Sequence, residues 1–204
     1  RFCMAGITND VKDKLNILFP DMFNFTFNRD MCDYNYYSDD LINLTGKKYH
    51  SKRNHINKFE IANGTDCYED ITENNLDECM ETYHKWAMER EGENLLEEYK
   101  AVDEALSNFK ALGLIGGLIR VNGSVCAFTA GSKANDETFV IHIEKGLNAC
   151  VGGYAVINRE FAKHNLSGYK YINREEDLGI EGLRKAKLSY QPAFLLEKSY
   201  ACLK

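Results

Sequence analysis

An Asn-Gly pair between two runs of strand-forming residues is the feature that most constrains how this chain can fold. Asn122 and Gly123 are typical of the two-residue turn of a β-hairpin, because both central positions of that turn need a positive φ. The pair joins predicted strands 116–121 and 124–132, and the chain then turns into a third predicted strand, 138–144. Three successive strands joined by short turns predict a mostly antiparallel sheet.

Helices and further strands are predicted on both sides of these three strands. Their apolar residues recur at the spacing of a helix or a half-buried strand. The predicted elements are a strand at 67–71, helices at 75–90 and 95–111, a helix from Gly152 or Gly153 to 164, a strand at 169–172, a helix at 179–188 and a strand at 193–202. From residue 67 onward the order is β-α-α-β-β-β-α-β-α-β.

The front of the chain holds fewer elements. A helix is predicted at 10–19, where Pro20 stops it, and a strand at 23–27, where three phenylalanines alternate with polar residues. Ser38 caps a second helix, whose polar tail continues to Phe59. One strand and two helices are too few for a stable domain, so we expect this segment to be the tail of a larger one.

A change of composition after residue 59 predicts a domain boundary. A basic stretch there gives way to the turn-rich segment 61–66, so we expect residues 1–59 to be the C-terminal remnant of one domain and 60–204 to be a complete second domain. The chain begins at Arg1 without a visible leader, which favours a fragment or a processed chain. With a front domain missing, the phenylalanines at 23–27 are expected to promote self-association or to contact that domain.

Charge, hydropathy and cysteine spacing exclude several classes of protein. The net charge of −6 argues against broad, non-specific nucleic-acid binding. The longest uncharged apolar run, 111–119, is shorter than the ~20 residues of a membrane helix. The seven cysteines are odd in number and show no C-x-x-C pair. We therefore expect reduced thiols, no metal site and a cytoplasmic location.

Three sequence words resemble one known family. Segments 46–59 (GKKYHSKRNHINKF), 142–145 (HIEK) and 173–188 (NREEDLGIEGLRKAKL) are similar to those of uncharacterised bacterial proteins related to the C-terminal domain of phosphatidylglycerol lysyltransferase. The element order also resembles the GNAT acyltransferase fold. Members of this family resemble two GNAT-like domains in tandem. The resemblance implies an α/β (α+β) fold with a mixed, mostly antiparallel sheet flanked by helices.

The same resemblance implies a function. Such proteins move an acyl or aminoacyl group to an amine or hydroxyl, so acetyl-CoA, another acyl-CoA or aminoacyl-tRNA is the expected donor, with no tightly bound cofactor. A non-catalytic binding module that has lost donor binding is the alternative. A cleft is expected between the predicted strands that end at Glu144 and Ile172.

Glu144 and His142 are the first candidates for catalysis. They are two residues apart on a predicted strand, so both are expected on one face of the sheet. In GNAT-like enzymes a carboxylate on the corresponding strand often removes a proton from the acceptor, which makes Glu144 the first candidate base and His142 the second. The alternative is structural: His142 is half-buried and Glu144 is paired with Lys145 or a nearby arginine.

The glycine pair Gly152 and Gly153 is the candidate site for a pyrophosphate. Backbone N–H groups at a helix start bind phosphates, and GNAT enzymes hold coenzyme A in this way. The chain lacks the basic residue and the glycine spacing that coenzyme A binders usually show. An ordinary tight turn explains the two glycines equally well.

Asn173, Arg174 and Tyr190 are the remaining candidates near the predicted cleft. Asn173 and Arg174 follow a predicted strand, where Arg174 could bind a phosphate or carboxylate and Asn173 could donate to an oxyanion. The alternative is an ion-paired loop that caps the next helix. Tyr190 falls near the place where many GNAT enzymes keep a tyrosine general acid.

A basic stretch is the candidate site for a polyanion such as tRNA. It carries five cationic side chains and no acidic one: Lys47, Lys48, Lys52, Arg53 and Lys58. The alternative is a solvated helix face, and few aromatic residues are present there to stack on bases.

Overall fold

The computed structural model describes residues 2–90 and 95–204, and it shows a mixed α+β fold with mostly antiparallel sheets flanked by helices. The strands are β1 (Cys3–Thr8), β2 (Phe23–Phe27), β3 (Asp33–Tyr37), β4 (Tyr68–Asp70), β5 (Ile115–Val121), β6 (Ser124–Lys133), β7 (Thr138–Gly146), β8 (Tyr171–Asn173), β9 (Phe194–Leu196) and β10 (Lys198–Leu203). The helices are α1 (Asn9–Leu18), α2 (Ser38–Asn43), α3 (His50–Asn63), α4 (Leu76–Met88), α5 (Leu96–Ser107), α6 (Gly153–Asn165) and α7 (Glu181–Leu188).

The chain divides into two compact units whose limits differ from the predicted boundary at residue 59. The first unit joins both ends of the chain, Arg1–Tyr37 and Asn173–Lys204, and the second is Ser38–Ile172. That residues 1–59 are the remnant of one GNAT-like domain and residues 60–204 a complete second one stays a prediction.

The first unit is built around strands from the two ends of the chain. Strand β10 lies between β1 and β2 and pairs antiparallel with both, while β3 pairs antiparallel with β9. Strands β1 and β3 were not predicted, and the predicted strand 193–202 is two strands. Phe23 and Phe25 of β2 are half-buried, whereas 54% of Phe27 is exposed.

The expectation that all cysteines are reduced is wrong, because Cys3 and Cys202 form a disulfide. The two residues are 199 positions apart in the sequence but face each other in the register of β1 and β10. Local spacing cannot reveal such a pair. Five cysteines remain free thiols: Cys32, Cys67, Cys79, Cys126 and Cys150. The cysteines therefore no longer support the cytoplasmic location, which stays a prediction.

A buried carboxylate, Asp177, organises the polar core of the first unit. It accepts two hydrogen bonds from Arg184, each 2.8 Å long, and one of 2.5 Å from the hydroxyl of Tyr34. The backbone N–H of Gly179 donates a further bond of 2.9 Å. Hydrogen bonds from the Arg184 guanidinium hold the pKa of Asp177 well below its usual range.

The second unit confirms the predicted three-strand region. Strands β4, β5, β6 and β7 pair antiparallel in that order, and β8 lies beside β7. Asn122 and Gly123 both have positive φ, as the hairpin turn requires. Phe128 of β6 packs in a core cluster with residues of α4 and α5. Ala127, which points to the opposite face, lies against Gly153 at the start of α6.

The single helix predicted from Ser38 to Phe59 is wrong, because the chain leaves helical geometry between α2 and α3. Leu44 and Gly46 both have positive φ. The guanidinium of Arg53 donates to the carbonyl oxygens of these same two residues. The N–H groups of Arg53 thereby satisfy carbonyl oxygens that follow the end of α2.

Candidate active site

A β-bulge in β7 separates His142 from Glu144. Ile143 faces Ala130 and Ile141 faces Gly131, so His142 is the extra residue of the bulge. His142 then lines a cavity together with Ala105 of α5. Glu144 instead lies on the face covered by α6. The expectation that the two residues share one face is therefore wrong, since a bulge breaks the two-residue alternation.

Glu144 is held by a buried amide from helix α6. The Nδ2 group of Asn158 donates a 3.0 Å hydrogen bond to Oε2 of the half-buried Glu144. Asn158 is itself 1% exposed, and its Oδ1 atom has no hydrogen-bond partner among residues 2–90 and 95–204. Buried polar atoms are nearly always satisfied, so a bound donor group would supply the hydrogen bond that this acceptor lacks.

Lys145 and Trp86 form a cationic cluster on the opposite side of β7. Lys145 Nζ lies 3.9 Å from the centre of the Trp86 ring, and the guanidinium of Arg90 lies 3.7 Å from it. The indole N–H donates a 2.9 Å bond to the hydroxyl of Tyr154, and Glu98 pairs with Lys145. Burial lowers the pKa of the Lys145 ammonium.

Sequence reasoning missed Asn158 and the Trp86 cluster as parts of the site. Lys145 belongs to the segment 142–145 (HIEK) that resembles the family, and it directly follows Glu144. Trp86 and Asn158 come from helices that are distant in the sequence. Nothing in their local sequence indicates that they meet β7.

The predicted phosphate loop is explained by packing. Gly152 has φ +89°, and a Cβ atom there would lie 2.6 Å from the carbonyl oxygen of His55. A Cβ atom at Gly153 would lie 2.5 Å from Sγ of Cys150. The N–H of Gly153 already donates to the carbonyl of Cys150. Close packing against the backbone of His55 and the side chain of Cys150 therefore accounts for both glycines without a bound phosphate.

Arg174 and Tyr190 meet in the first unit. The Arg174 guanidinium lies 4.8 Å from the centre of the Tyr190 ring and 5.7 Å from that of Tyr36. Asn173 has a structural role, because its Oδ1 accepts the N–H of Glu175 and its Nδ2 donates to Asp33. Asn173 thus shapes the loop, in line with the structural alternative.

Two side chains of the basic stretch bind groups within the protein. Lys48 forms a 2.9 Å ion pair with Asp40, and Arg53 binds the carbonyls that follow α2. Lys52 is half-buried, whereas Lys47 and Lys58 are exposed. The exposed part of the patch is therefore smaller than the sequence indicates.

No cluster of three or more histidine, cysteine, aspartate or glutamate side chains in 2–90 and 95–204 is placed to hold a metal ion. In the same ranges no helix combines the length and the apolar character that crossing a membrane requires.

Solved structures show what this chain is similar to. A conserved protein of unknown function from Bacteroides thetaiotaomicron is 47% identical with a TM-score of 0.92, over 100% of this chain and 70% of that one. The L-PGS structure from Bacillus licheniformis is 15% identical with a TM-score of 0.66, over 98% of this chain and 66% of that one. A C-terminal DUF2156 domain from Agrobacterium fabrum is 14% identical with a TM-score of 0.68, over 98% and 66%. The last two show the fold alone.

Family comparison agrees with the resemblance found in the sequence. No functionally curated protein shows significant similarity to this chain. The family described as phosphatidylglycerol lysyltransferase, C-terminal, matches residues 1–203. The chain spans about two thirds of the two more distant structures, so the activity of a whole protein is a matter for proposal. By this match over nearly its full length, the chain belongs to the phosphatidylglycerol lysyltransferase C-terminal family, which is a transferase family.

Proposed function

We propose that this chain transfers an acyl or aminoacyl group to an amine or hydroxyl acceptor, with Glu144 as the general base. The observation that carries the proposal is the contact between Glu144 and the buried amide of Asn158. A base must be fixed within reach of the proton that it removes, and a buried amide donor fixes a carboxylate. Membership of a transferase family supports the same reaction class.

The atoms around Glu144 favour an acceptor that brings N–H groups. The carboxylate accepts hydrogen bonds, and Oδ1 of Asn158 is a second buried acceptor. Leaving a buried acceptor unsatisfied costs about 1–3 kcal/mol, which a bound amine would recover. We therefore place an amine ahead of a hydroxyl as the acceptor.

In the proposed step, Glu144 takes a proton from the acceptor amine while the nitrogen of that amine attacks the carbonyl carbon of the donor. A C–N bond forms, and the bond from that carbon to the leaving oxygen of aminoacyl-tRNA or the leaving sulfur of acyl-CoA breaks. The leaving group takes up the proton that Glu144 removed. The exposed Lys47 and Lys58 are proposed to bind a polyanionic donor. The roles of His142, Arg174, Tyr190 and Asn173 in this reaction stay predictions.

A non-catalytic binding module is the second candidate. The packing of Gly152 against His55 and of Gly153 against Cys150 favours it, because these glycines then need no phosphate to explain them. Such a module would keep the fold and bind a partner without turnover.

The Glu144→Gln variant tests the proposal. We expect it to lose about 10²–10⁴-fold in transfer from acetyl-CoA or aminoacylated tRNA to an amine, because general-base catalysis contributes about that much. Glu137→Gln is the matched control, since Glu137 is exposed just before the same strand. Circular dichroism checks that both variants fold.

Thermal shifts separate the two donors and the two functions. A ligand that binds only the native state raises the melting temperature. Stabilisation by acetyl-CoA or by aminoacylated tRNA identifies the donor class. Transfer that is equal in wild type and Glu144→Gln contradicts Glu144 as the base, and stabilisation by a ligand without any turnover supports the binding module.

A further inference from the structure

A small apolar cavity lies on the face of the sheet opposite to Glu144. Its volume is about 280 Å³, and its apolar walls include Ala105, Leu112, Leu114 and Ile143. A cavity of this size has room for a short hydrocarbon group. Leu112 is 54% exposed, so part of the apolar wall is open to solvent.

A serine and a histidine line the same cavity within hydrogen-bond distance. Oγ of Ser132 lies 2.8 Å from Nε2 of His142. This is the distance at which an imidazole can take the proton of a serine hydroxyl and turn it into a nucleophile. Ser132 is half-buried and His142 is exposed, so the pair borders both the cavity and solvent.

The β-bulge is what brings the pair together beside the cavity. Ser132 faces Val140 in the ladder, and His142 is the extra residue of β7 two positions further on. Without the bulge, the alternation of the strand would turn His142 to the other face together with Glu144. Bulges are frequent next to active sites because they redirect a side chain in this way.

We propose that Ser132 and His142 form a second catalytic site, which cleaves esters or thioesters of short apolar carboxylic acids. The acyl chain occupies the cavity between α5 and the sheet. This site goes beyond the proposed transfer reaction and does not depend on it, because it lies on the face of β7 opposite to Glu144 and uses neither Glu144 nor Asn158.

The reaction has two balanced steps. Ser132 Oγ attacks the carbonyl carbon and gives its proton to Nε2 of His142. The bond to the leaving alcohol or thiol breaks, and that group takes the proton from His142. Water then attacks the acyl-serine ester, again losing its proton to His142, which returns it to Ser132 as the carboxylic acid is released.

The test uses p-nitrophenyl butyrate and a fluorophosphonate probe on the full chain. We expect hydrolysis above the buffer background, and a loss of at least about 100-fold in kcat/KM for Ser132→Ala and for His142→Ala. Ser124→Ala, an exposed serine on the same strand, is the matched control and keeps the activity.

A direct measurement covers the case in which a variant fails to fold. Mass spectrometry of wild-type protein after treatment with the fluorophosphonate locates the modified residue, and we expect the adduct on Ser132. Absence of an adduct on Ser132, or hydrolysis that Ser132→Ala leaves unchanged, overturns the proposal. The pair would then be a cross-strand hydrogen bond with a structural role only.

Discussion

Replacing Asp177 by asparagine removes the charge at the centre of the first unit. Either orientation of the new amide turns an NH₂ group toward donors that now bind the carboxylate, among them Arg184 and Tyr34. Breaking a buried ion pair by removing one partner costs about 3–5 kcal/mol. Arg184 and Arg29 are each 33% exposed and can be hydrated, so we expect the lower end, about 3 kcal/mol.

Urea unfolding followed by circular dichroism measures this loss. With a slope of about 2–3 kcal/mol per molar urea, a loss of about 3 kcal/mol lowers the midpoint by roughly 1–1.5 M. Asp136→Asn is the matched control: Asp136 pairs with Lys133 at 2.6 Å, but its side chain is 95% exposed. We expect that control to change stability by less than about 0.5 kcal/mol. Equal midpoints for Asp177→Asn and the control would refute the reasoning.

The same carboxylate gives the stability a pH dependence of known sign. Its pKa in the folded chain lies below the ordinary value of 3.8, so its stabilisation is fully present above that pH. It is lost as the pH falls below 3.8 toward the folded pKa. The difference in stability between wild type and Asp177→Asn should therefore narrow over this range. A difference that stays constant down to strong acid would contradict the assignment.

Two further predictions concern the second unit. Gly152→Ala should lower the free energy of unfolding in urea by at least about 2 kcal/mol, because the position combines a positive φ with a Cβ contact of 2.6 Å. The control Gly168→Ala has open space around its Cβ position and should change this free energy by less than about 0.5 kcal/mol. Equal effects of the two substitutions would contradict this reasoning. Trp86 is the one tryptophan of the chain and lies against Lys145, so its fluorescence should change when the Lys145 ammonium loses its proton. The midpoint of this change should lie at a pH below 10.5, the ordinary pKa of lysine, and Lys145→Met should remove the change. A midpoint at or above 10.5 would refute the lowered pKa.

Local signals predicted the second unit better than the first. The turn at Asn122 and Gly123 and the periodic helices on either side depend on neighbouring residues, and the structure has these elements close to their predicted bounds. Strand β3 was missed because its polar residues Asp33 and Asn35 are buried like Tyr34 and Tyr36, so polar and apolar positions do not mark two faces. Asp33 is satisfied by Asn173 and Lys198, which the sequence does not bring near it.

The candidate site was predictable in its residues but not in its arrangement. Glu144 was identified from a strand and a family word. The bulge that turns His142 away depends on the register with β6, which no pattern within β7 indicates. Asn158, the residue that holds Glu144, lies on a helix whose contact with the strand is set by tertiary packing.

The bond between Cys3 and Cys202 closes residues 3–202 into a covalent ring. A single proteolytic cut at any peptide bond between the two cysteines opens this ring without releasing a fragment. Cleaved and intact molecules then have nearly the same mass on a non-reducing gel and separate into pieces only after reduction. The two cut ends stay tethered at high local concentration, so a nicked chain keeps the means to reassemble both units.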